Sequence, residues 1–250
     1  MSKKLAEGID GIVLDIKTGN GAFMKNSRDA ETLAHSLINT AKSFRKKVIT
    51  LISDMNQPLG NYIGNWLEVT ESIIVLKGIV KNDLYELCLK LAGAMLYIGK
   101  KAKSLSEGEK IAELQIINGK AFEKFLEIVE LQGGNRSYIT NPEKYPVSKF
   151  VRKLHSKKTG YINKIDTYRM GMAALELGAG RKTKDDIIDH KAGIILHKKL
   201  GDRIDKRDLI AELHSDSLAK LNLSLNIVTD AIVISNKKIL KPKLIKKILY

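Results

Sequence analysis

The residues best suited to chemistry lie in two loops, each directly after an apolar segment. Gly19 and Gly21 follow the segment 11–16, and glycines there would let backbone amides approach a ligand near the start of a helix. A second polar loop, 54–60, follows the apolar segment 47–52. The order Gly-x-Gly-Ala-Phe-Met matches neither the dinucleotide-binding fingerprint nor the P-loop of nucleotide hydrolases. Spacing alone is therefore as compatible with a plain tight turn as with a ligand site.

Two acidic residues lie just beyond the second loop. Glu68 and Glu71 are three residues apart in a segment with helical periodicity, so they share one helix face. Carboxylates combined with loop carbonyls are typical ligands of a hard cation, whereas most surface glutamates have no such role. The residue pattern leaves both interpretations open. The five histidines show no spacing typical of metal ligands.

A parallel βαβ unit is the element that would position these loops. The segments 11–16 and 47–52 are almost continuously apolar, which is typical of strands buried on both faces. Between them, apolar residues recur at helical spacing after Ser27, a good N-cap. Parallel strands carry ligand sites at their carboxyl ends, so we expect the two loops to share one crevice.

Further helices are predicted over 67–77, 83–98 and 121–131 from the spacing of their apolar residues. Another is predicted over 106–117, because Ser106 and Glu109 form a capping-box pattern at its start.

The periodicity fades between residues 135 and 149, around Pro142 and Pro146, which indicates a domain boundary. A strand over 160–165 and a helix over 167–177 are expected after it. The predicted fold class is therefore α/β. A parallel-sheet core domain with flanking helices is followed by a smaller α+β C-terminal domain with a β-rich, hammerhead-like element.

Composition narrows the classes of function. The formal net charge is +15, but most of the excess follows residue 150, the basic residues are mostly lysine, and aromatic residues are only 6%, which disfavours nucleic acid as a partner. Apolar runs such as 91–99 and 222–229 are far shorter than the roughly 20 residues that span a bilayer, so no membrane partner is expected. The first residues lack an apolar signal segment, which favours a cytoplasmic location.

The single cysteine, Cys88, excludes an intrachain disulfide framework and a cysteine-clustered zinc site. Its neighbours Leu87 and Leu91 suggest a helix face in the core, and we expect Cys88 to be buried there.

Several segments resemble, in the same order, blocks of the pyrimidine-nucleoside and thymidine phosphorylase family. The resemblance covers essentially the whole chain, and the order of the blocks makes it far more specific than any one motif. The matching blocks are MSKKLA at 1–6, DIKTGNGAFM at 15–24, SDMNQPLG at 53–60, GN at 64–65 with LEV at 67–69, ELC at 86–88, GAGR at 178–181 and LHKKLGD at 196–202.

The resemblance implies three parts of the chain: 1–9 as the end of the family's helical domain, 10–150 as part of its α/β core, and 151–250 as its C-terminal domain. It corresponds to about the last three-fifths of the family pattern. The Lys-His-Ser-Thr-Gly-Gly-type phosphate loop of the family has no counterpart in this sequence. On this basis we expect a split gene, a frameshift or a misplaced start codon, and a chain that is inactive alone.

The activity implied by the resemblance is reversible phosphorolysis of uridine- or thymidine-type nucleosides. Phosphate, the co-substrate, attacks C1′ of a pyrimidine nucleoside and releases the free base and a pentose 1-phosphate. The family works as a homodimer. No catalytic residue is expected in this part of the pattern.

The resemblance also assigns binding residues. Lys3 matches the lysine that hydrogen-bonds the pyrimidine carbonyl, and Phe23 matches a residue that lines the nucleoside pocket, with ordinary packing as its alternative. Leu59, Tyr62 and Glu71 match the positions that bind a monovalent cation, potassium. The first two would act through backbone carbonyls and Glu71 through its carboxylate, so a tyrosine in place of the family's usual small residue is tolerated.

Two other classes of function stay open. The chain could be a non-catalytic remnant or a binding module that uses its basic C-terminal domain, in which case binding would be strongly salt-dependent. Phosphoribosyl transfer, as in the related anthranilate enzyme, is disfavoured because Lys3 and the segment 15–24 follow the phosphorylase pattern.

Overall fold

The polypeptide divides into two units, neither of which is continuous in sequence. A computed structural model describes all residues from 1 to 250. The first unit contains Met1–Met55, Leu76–Phe122 and Lys243–Tyr250, and the second contains Asn56–Val75 and Glu123–Pro242. These units are defined by contacts within the chain and do not test the family's domain division. The boundaries at residues 9 and 150, which the family resemblance implies, therefore stay a prediction.

The helices lie mostly where the periodicity of apolar residues predicts them. No helix is both long enough and apolar enough to cross a membrane. The helices are α1 (Ser2–Ala6), α2 (Ser27–Ser43), α3 (Asn65–Leu76), α4 (Asp83–Ile98), α5 (Leu105–Ile117), α6 (Lys120–Leu131), α7 (Arg136–Thr140), α8 (Thr167–Leu177) and α9 (Leu218–Ala231), with a 3-10 turn at Pro142–Lys144.

The strands form three sheets, one in the first unit and two in the second. They are β1 (Gly11–Thr18), β2 (Lys47–Asp54), β3 (Tyr62–Ile63), β4 (Phe150–His155), β5 (Gly160–Ile165), β6 (Gly193–Leu196), β7 (Arg203–Ile204), β8 (Leu209–Ser215), β9 (Ile232–Ser235) and β10 (Ile245–Leu249).

The first unit is built on the predicted βαβ arrangement. β1 and β2 pair in parallel, from Gly11 opposite Lys47 to Thr18 opposite Asp54. Every residue of β2 after Lys47 is buried, as expected for a central strand of this kind. Alanines of α2 pack against Ile16 and Ile52. β10 completes the sheet by pairing antiparallel with β2, a pairing that the sequence analysis did not predict.

The second unit is antiparallel and rich in strands. One sheet has the order β3-β6-β8-β4 and the other the order β7-β5-β9. Its core is formed by the buried faces of β5, β6, β8, α8 and α9. The predicted combination of an α/β core with a β-rich C-terminal part is thereby confirmed.

Two predicted helix caps are wrong, one by two residues and one by a single residue. α5 begins after Ser104, whose hydroxyl accepts a hydrogen bond from the Glu107 amide at 3.1 Å, and not at Ser106. Both serines are followed by glutamate three residues later, so the same capping rule fits both, and the helix uses the earlier one. α2 is likewise capped by Asn26, which accepts from the Asp29 amide, and Ser27 is its first residue.

The prediction that Cys88 is a core residue is also wrong. Cys88 is exposed, whereas its neighbour Leu87 is buried. Successive helix residues point about 100° apart, so the burial of Leu87 turns Cys88 away from the core.

Candidate functional site

The glycine-rich turn and the second loop are hydrogen-bonded neighbours at the ends of β1 and β2. The Met55 amide donates to the Thr18 carbonyl at 2.7 Å, and the Gly21 amide donates to the Met55 carbonyl at 3.0 Å. The turn closes on itself through a 3.0 Å hydrogen bond from the Gly19 amide to the Met24 carbonyl. Gly19 has φ +132°, a conformation that favours glycine. The parallel register thus brings the glycine-rich turn against Met55, at the start of the second loop.

Phe23 projects from this turn and is 98% exposed. The ring buries no surface against the rest of this chain, so packing within the chain does not explain it, and its place in a nucleoside pocket stays a prediction. An exposed aromatic side chain at the carboxyl edge of a parallel sheet is suited to contacting a planar ligand.

Lys3 lies on the first helix, α1, in the same unit as Phe23, and is exposed. Its neighbour Lys4 differs in having an ion-pair partner, Glu7, at 3.1 Å.

A polar cluster between β1 and β2 was missed by the sequence analysis. The Ser53 hydroxyl donates to the Asp15 carboxylate at 2.5 Å, and the Lys17 ammonium donates to Ser53 at 3.0 Å and also pairs with Asp15. Asp15 and Lys17 share a strand face, and the parallel register places Ser53 opposite Lys17. Their charges balance each other, so the cluster braces the strand ends that carry the two loops.

A second buried charge at this edge is neutralised by the end of the chain. The Asp54 side chain is only 4% exposed, and the Lys246 ammonium on β10 lies 2.8 Å from its carboxylate. The Asp54 amide also donates to the Leu244 carbonyl at 2.8 Å. β10 therefore secures the end of β2 by both backbone and side-chain contacts.

The candidate cation-binding residues lie in the second unit, at the loop that precedes β3. Glu71 on α3 is 2% exposed, and its carboxylate accepts hydrogen bonds from the Asn61 amide at 2.7 Å and the Tyr62 amide at 3.2 Å. In the sequence analysis only the family resemblance linked Tyr62 with Glu71. The structure joins them by a hydrogen bond from the Tyr62 amide to the Glu71 carboxylate. Leu59 lies in the same loop, two residues before Asn61.

The same loop is also held by Lys199. Its ammonium lies 2.5 Å from the carbonyl oxygens of both Pro58 and Gly60. Sequence reasoning placed Lys199 in the LHKKLGD block but gave it no role. The contact joins positions far apart in sequence, which no local pattern reveals.

The charge around Tyr62 is negative. Burial, and then the nearby carboxylates of Glu71 and Glu212, raise the pKa of the Tyr62 phenol. Its hydroxyl is therefore neutral at physiological pH.

The ligand atoms that these residues offer are of the kind that binds a monovalent cation. A buried carboxylate and the backbone carbonyls of a tight loop are all oxygen donors, the ligands that hard cations prefer. No group of three or more His, Cys, Asp or Glu side chains is arranged to hold a metal ion, so any ion here would depend on backbone oxygens.

Comparison with known families assigns both parts of the chain. Residues 1–122 match the glycosyl transferase family, a/b domain, and residues 161–235 match the pyrimidine nucleoside phosphorylase C-terminal domain. The class defined by the fold and the first match is that of glycosyl transferases with an α/β domain.

Relatives in two organisms give the more specific assignment. The pyrimidine-nucleoside phosphorylase of Staphylococcus epidermidis (strain ATCC 35984) is 44% identical over 233 residues, which is 91% of this chain and 54% of that protein. The pyrimidine-nucleoside phosphorylase of Staphylococcus aureus (strain USA300) is 40% identical over 255 aligned positions, 100% of this chain and 57% of that protein. The chain belongs to the pyrimidine-nucleoside phosphorylase family, and it spans about half the length of these curated relatives.

Proposed function

We propose that this chain supplies the base-binding and cation-binding part of a pyrimidine-nucleoside phosphorylase. The reaction is the reversible phosphorolysis of uridine- or thymidine-type nucleosides to the free base and a pentose 1-phosphate. The observation that carries the proposal is Phe23, fully exposed on a glycine-rich turn at the carboxyl edge of the parallel sheet in a chain of this family.

Lys3 would stabilise the charge that develops on the base. As the bond between C1′ and the pyrimidine nitrogen breaks, its electron pair moves into the ring and onto the carbonyl oxygens. A hydrogen bond from an ammonium group to such an oxygen is stronger in the transition state than in the ground state, and a stronger interaction in the transition state is the requirement for catalysis. Lys3 has no intrachain ion pair to compete for it, unlike Lys4.

Phe23 would contact the nucleoside at the carboxyl edge of the parallel sheet. The attacking phosphate oxygen forms the new bond to C1′ as the base departs, so the enzyme supplies orientation and electrostatics rather than a covalent intermediate. In this proposal the balanced cluster of Asp15, Lys17 and Ser53 keeps the strand ends fixed beneath the turn.

The carbonyl oxygens of Leu59 and Tyr62 and the carboxylate of Glu71 would hold potassium. A bound potassium ion would add to the positive charge that the Lys199 ammonium already brings to the carbonyls of Pro58 and Gly60 in this loop. The hydrogen bonds from the Asn61 and Tyr62 amides already orient that carboxylate toward the loop.

Assembly and location belong to the same proposal. A homodimer is what the family resemblance implies, with a pyrimidine nucleoside and phosphate as the ligands, and a cytoplasmic location is proposed with it. Sedimentation equilibrium of the purified protein tests the dimer, and a single species at the monomer mass of 27.8 kDa would argue against it.

A fusion protein tests the activity. The portion of the S. epidermidis relative outside the matched region is joined to this chain in the relative's own order, and the product is incubated with uridine and phosphate. Uracil and ribose 1-phosphate are expected in equal amounts, and none without phosphate. The intact relative is the positive control. A folded fusion that releases no uracil while the control is active would refute the proposed function.

A further inference from the structure

The segment 196–200 binds the loop 57–62 at both of its ends. The Leu200 amide donates to the Gln57 side-chain carbonyl at 2.8 Å. At the other end, the Leu196 amide donates to the Asn61 carbonyl at 2.7 Å, and the Asn61 side chain donates back to the Leu196 carbonyl at 2.8 Å. The segment 196–200 is thus hydrogen-bonded to both ends of the loop, and Lys199 lies between the two end contacts.

The middle of the loop presents two buried peptide units to that lysine. Pro58 and Gly60 are both buried, and their carbonyl oxygens need donors because water does not reach them freely. The Lys199 ammonium lies 2.5 Å from each oxygen. An ammonium has three donors and no acceptor, so one group can satisfy two converging carbonyls with charge-assisted hydrogen bonds.

We infer that Lys199 is a positioning residue whose ammonium serves as the internal cation of the loop 57–62. By holding the carbonyls of Pro58 and Gly60, it fixes the backbone from which the Asn61 and Tyr62 amides reach Glu71. This inference rests on contacts within one unit of the protein and does not depend on the proposed phosphorolysis.

The adjacent lysine offers a matched control. The Lys198 ammonium pairs with the Asp208 carboxylate at 2.9 Å and does not contact the loop. The two lysines are neighbours in the same motif and have different partners, so the two substitutions remove the same chemical group from two different sets of contacts. A general effect of lost positive charge would appear in both variants, whereas an effect on the loop should appear only at position 199.

The test compares Lys199→Ala with Lys198→Ala in the full chain. Hydrogen–deuterium exchange of the amides in 57–62 is measured in choline chloride and in ammonium chloride at equal ionic strength. In Lys199→Ala the loop amides should exchange at least about tenfold faster in choline chloride, because the loop opens locally. Ammonium chloride should restore most of the protection, since the small cation can occupy the space left by the side chain. Lys198→Ala should behave as wild type.

Two results would overturn the inference: unchanged loop exchange in Lys199→Ala, or equal protection in the two salts. A second variant, Lys199→Arg, keeps a cation and its donors if Lys199→Ala fails to fold. Its loop exchange should stay close to that of wild type. Loss of loop protection in folded Lys199→Arg, or failure of this variant to fold, would equally contradict a role based on the cation.

Discussion

A β-carbon on Gly60 would lie 2.3 Å from Oε2 of Glu71, so the loop and the buried carboxylate fit together only because position 60 lacks a side chain. Gly60 also has φ +67°, in the left-handed region. Both features bring the backbone close enough for the amides of Asn61 and Tyr62 to donate hydrogen bonds to the carboxylate.

Gly60→Ala should therefore be strongly destabilising. The backbone conformation alone costs a non-glycine residue about 1–3 kcal/mol, and the overlap with Glu71 adds to it. We expect a loss of more than about 3 kcal/mol in urea unfolding. Gly133→Ala is the control, because Gly133 has φ +76° and nothing within 4 Å of the added carbon. Equal losses in the two variants would show that the carboxylate contact is unimportant.

Phe23→Ala should separate stability from binding. Since the ring is 98% exposed, its removal should change the free energy of unfolding by less than about 0.5 kcal/mol. In the fusion protein, loss of an aromatic contact with the base should raise the KM for uridine about tenfold. Phe44→Ala, at another exposed ring, is expected to change neither quantity. An unchanged KM in Phe23→Ala would remove this residue from the nucleoside site.

Lys246→Met tests the connection between the last strand and the end of β2. Removal of the ammonium deprives the buried Asp54 carboxylate of its ion-pair partner, so we expect the free energy of unfolding to fall by about 1–3 kcal/mol. Lys247→Met is the matched control, because its pair with Glu31 is largely exposed and should contribute less than about 1 kcal/mol. Equal unfolding temperatures of Lys246→Met and Lys247→Met would contradict a special role for Lys246.

His214 should make the protein less stable toward acid. Burial lowers the pKa of His214, and the nearby Glu212 carboxylate opposes this only in part. The unfolded chain then binds a proton more readily than the folded one, so stability falls as the pH drops below the ordinary value of about 6.5. His214→Gln should flatten the dependence of Tm on pH between about 5.5 and 7.5. The exposed His35→Gln is the control, and equal slopes in wild type and His214→Gln would contradict the prediction.

The parts of the fold that follow from local patterns were predictable. β1 and β2 are almost continuously apolar, and α4 and α8 have a clear helical period. The rule for parallel strands placed the glycine-rich turn beside the start of the second loop. Where two nearby residues fit the same rule, the predicted helix start was displaced. Ser104 and Ser106 both match a capping box, and the helix uses Ser104.

Contacts between distant parts of the chain could not be predicted from one sequence. β10 is short and carries two lysines, so it has no period that marks it as a partner of β2. The contact of Lys199 with the loop depends on the antiparallel pairing of β3 with β6. Glu71 was singled out from its spacing to Glu68, but only the structure shows that Glu71 is buried and Glu68 exposed.

The most direct test of the account compares Lys3→Ala with Lys4→Ala in the fusion protein. The two lysines are adjacent on α1, but only Lys3 is proposed to contact the base, while Lys4 pairs with Glu7. Phosphate-dependent release of uracil should fall about 100-fold or more in kcat/KM for Lys3→Ala, as for loss of a donor to a developing oxyanion. Lys4→Ala should stay within about twofold of the parent. Equal activity of the two variants would contradict the assignment of this chain's first helix to the base-binding site.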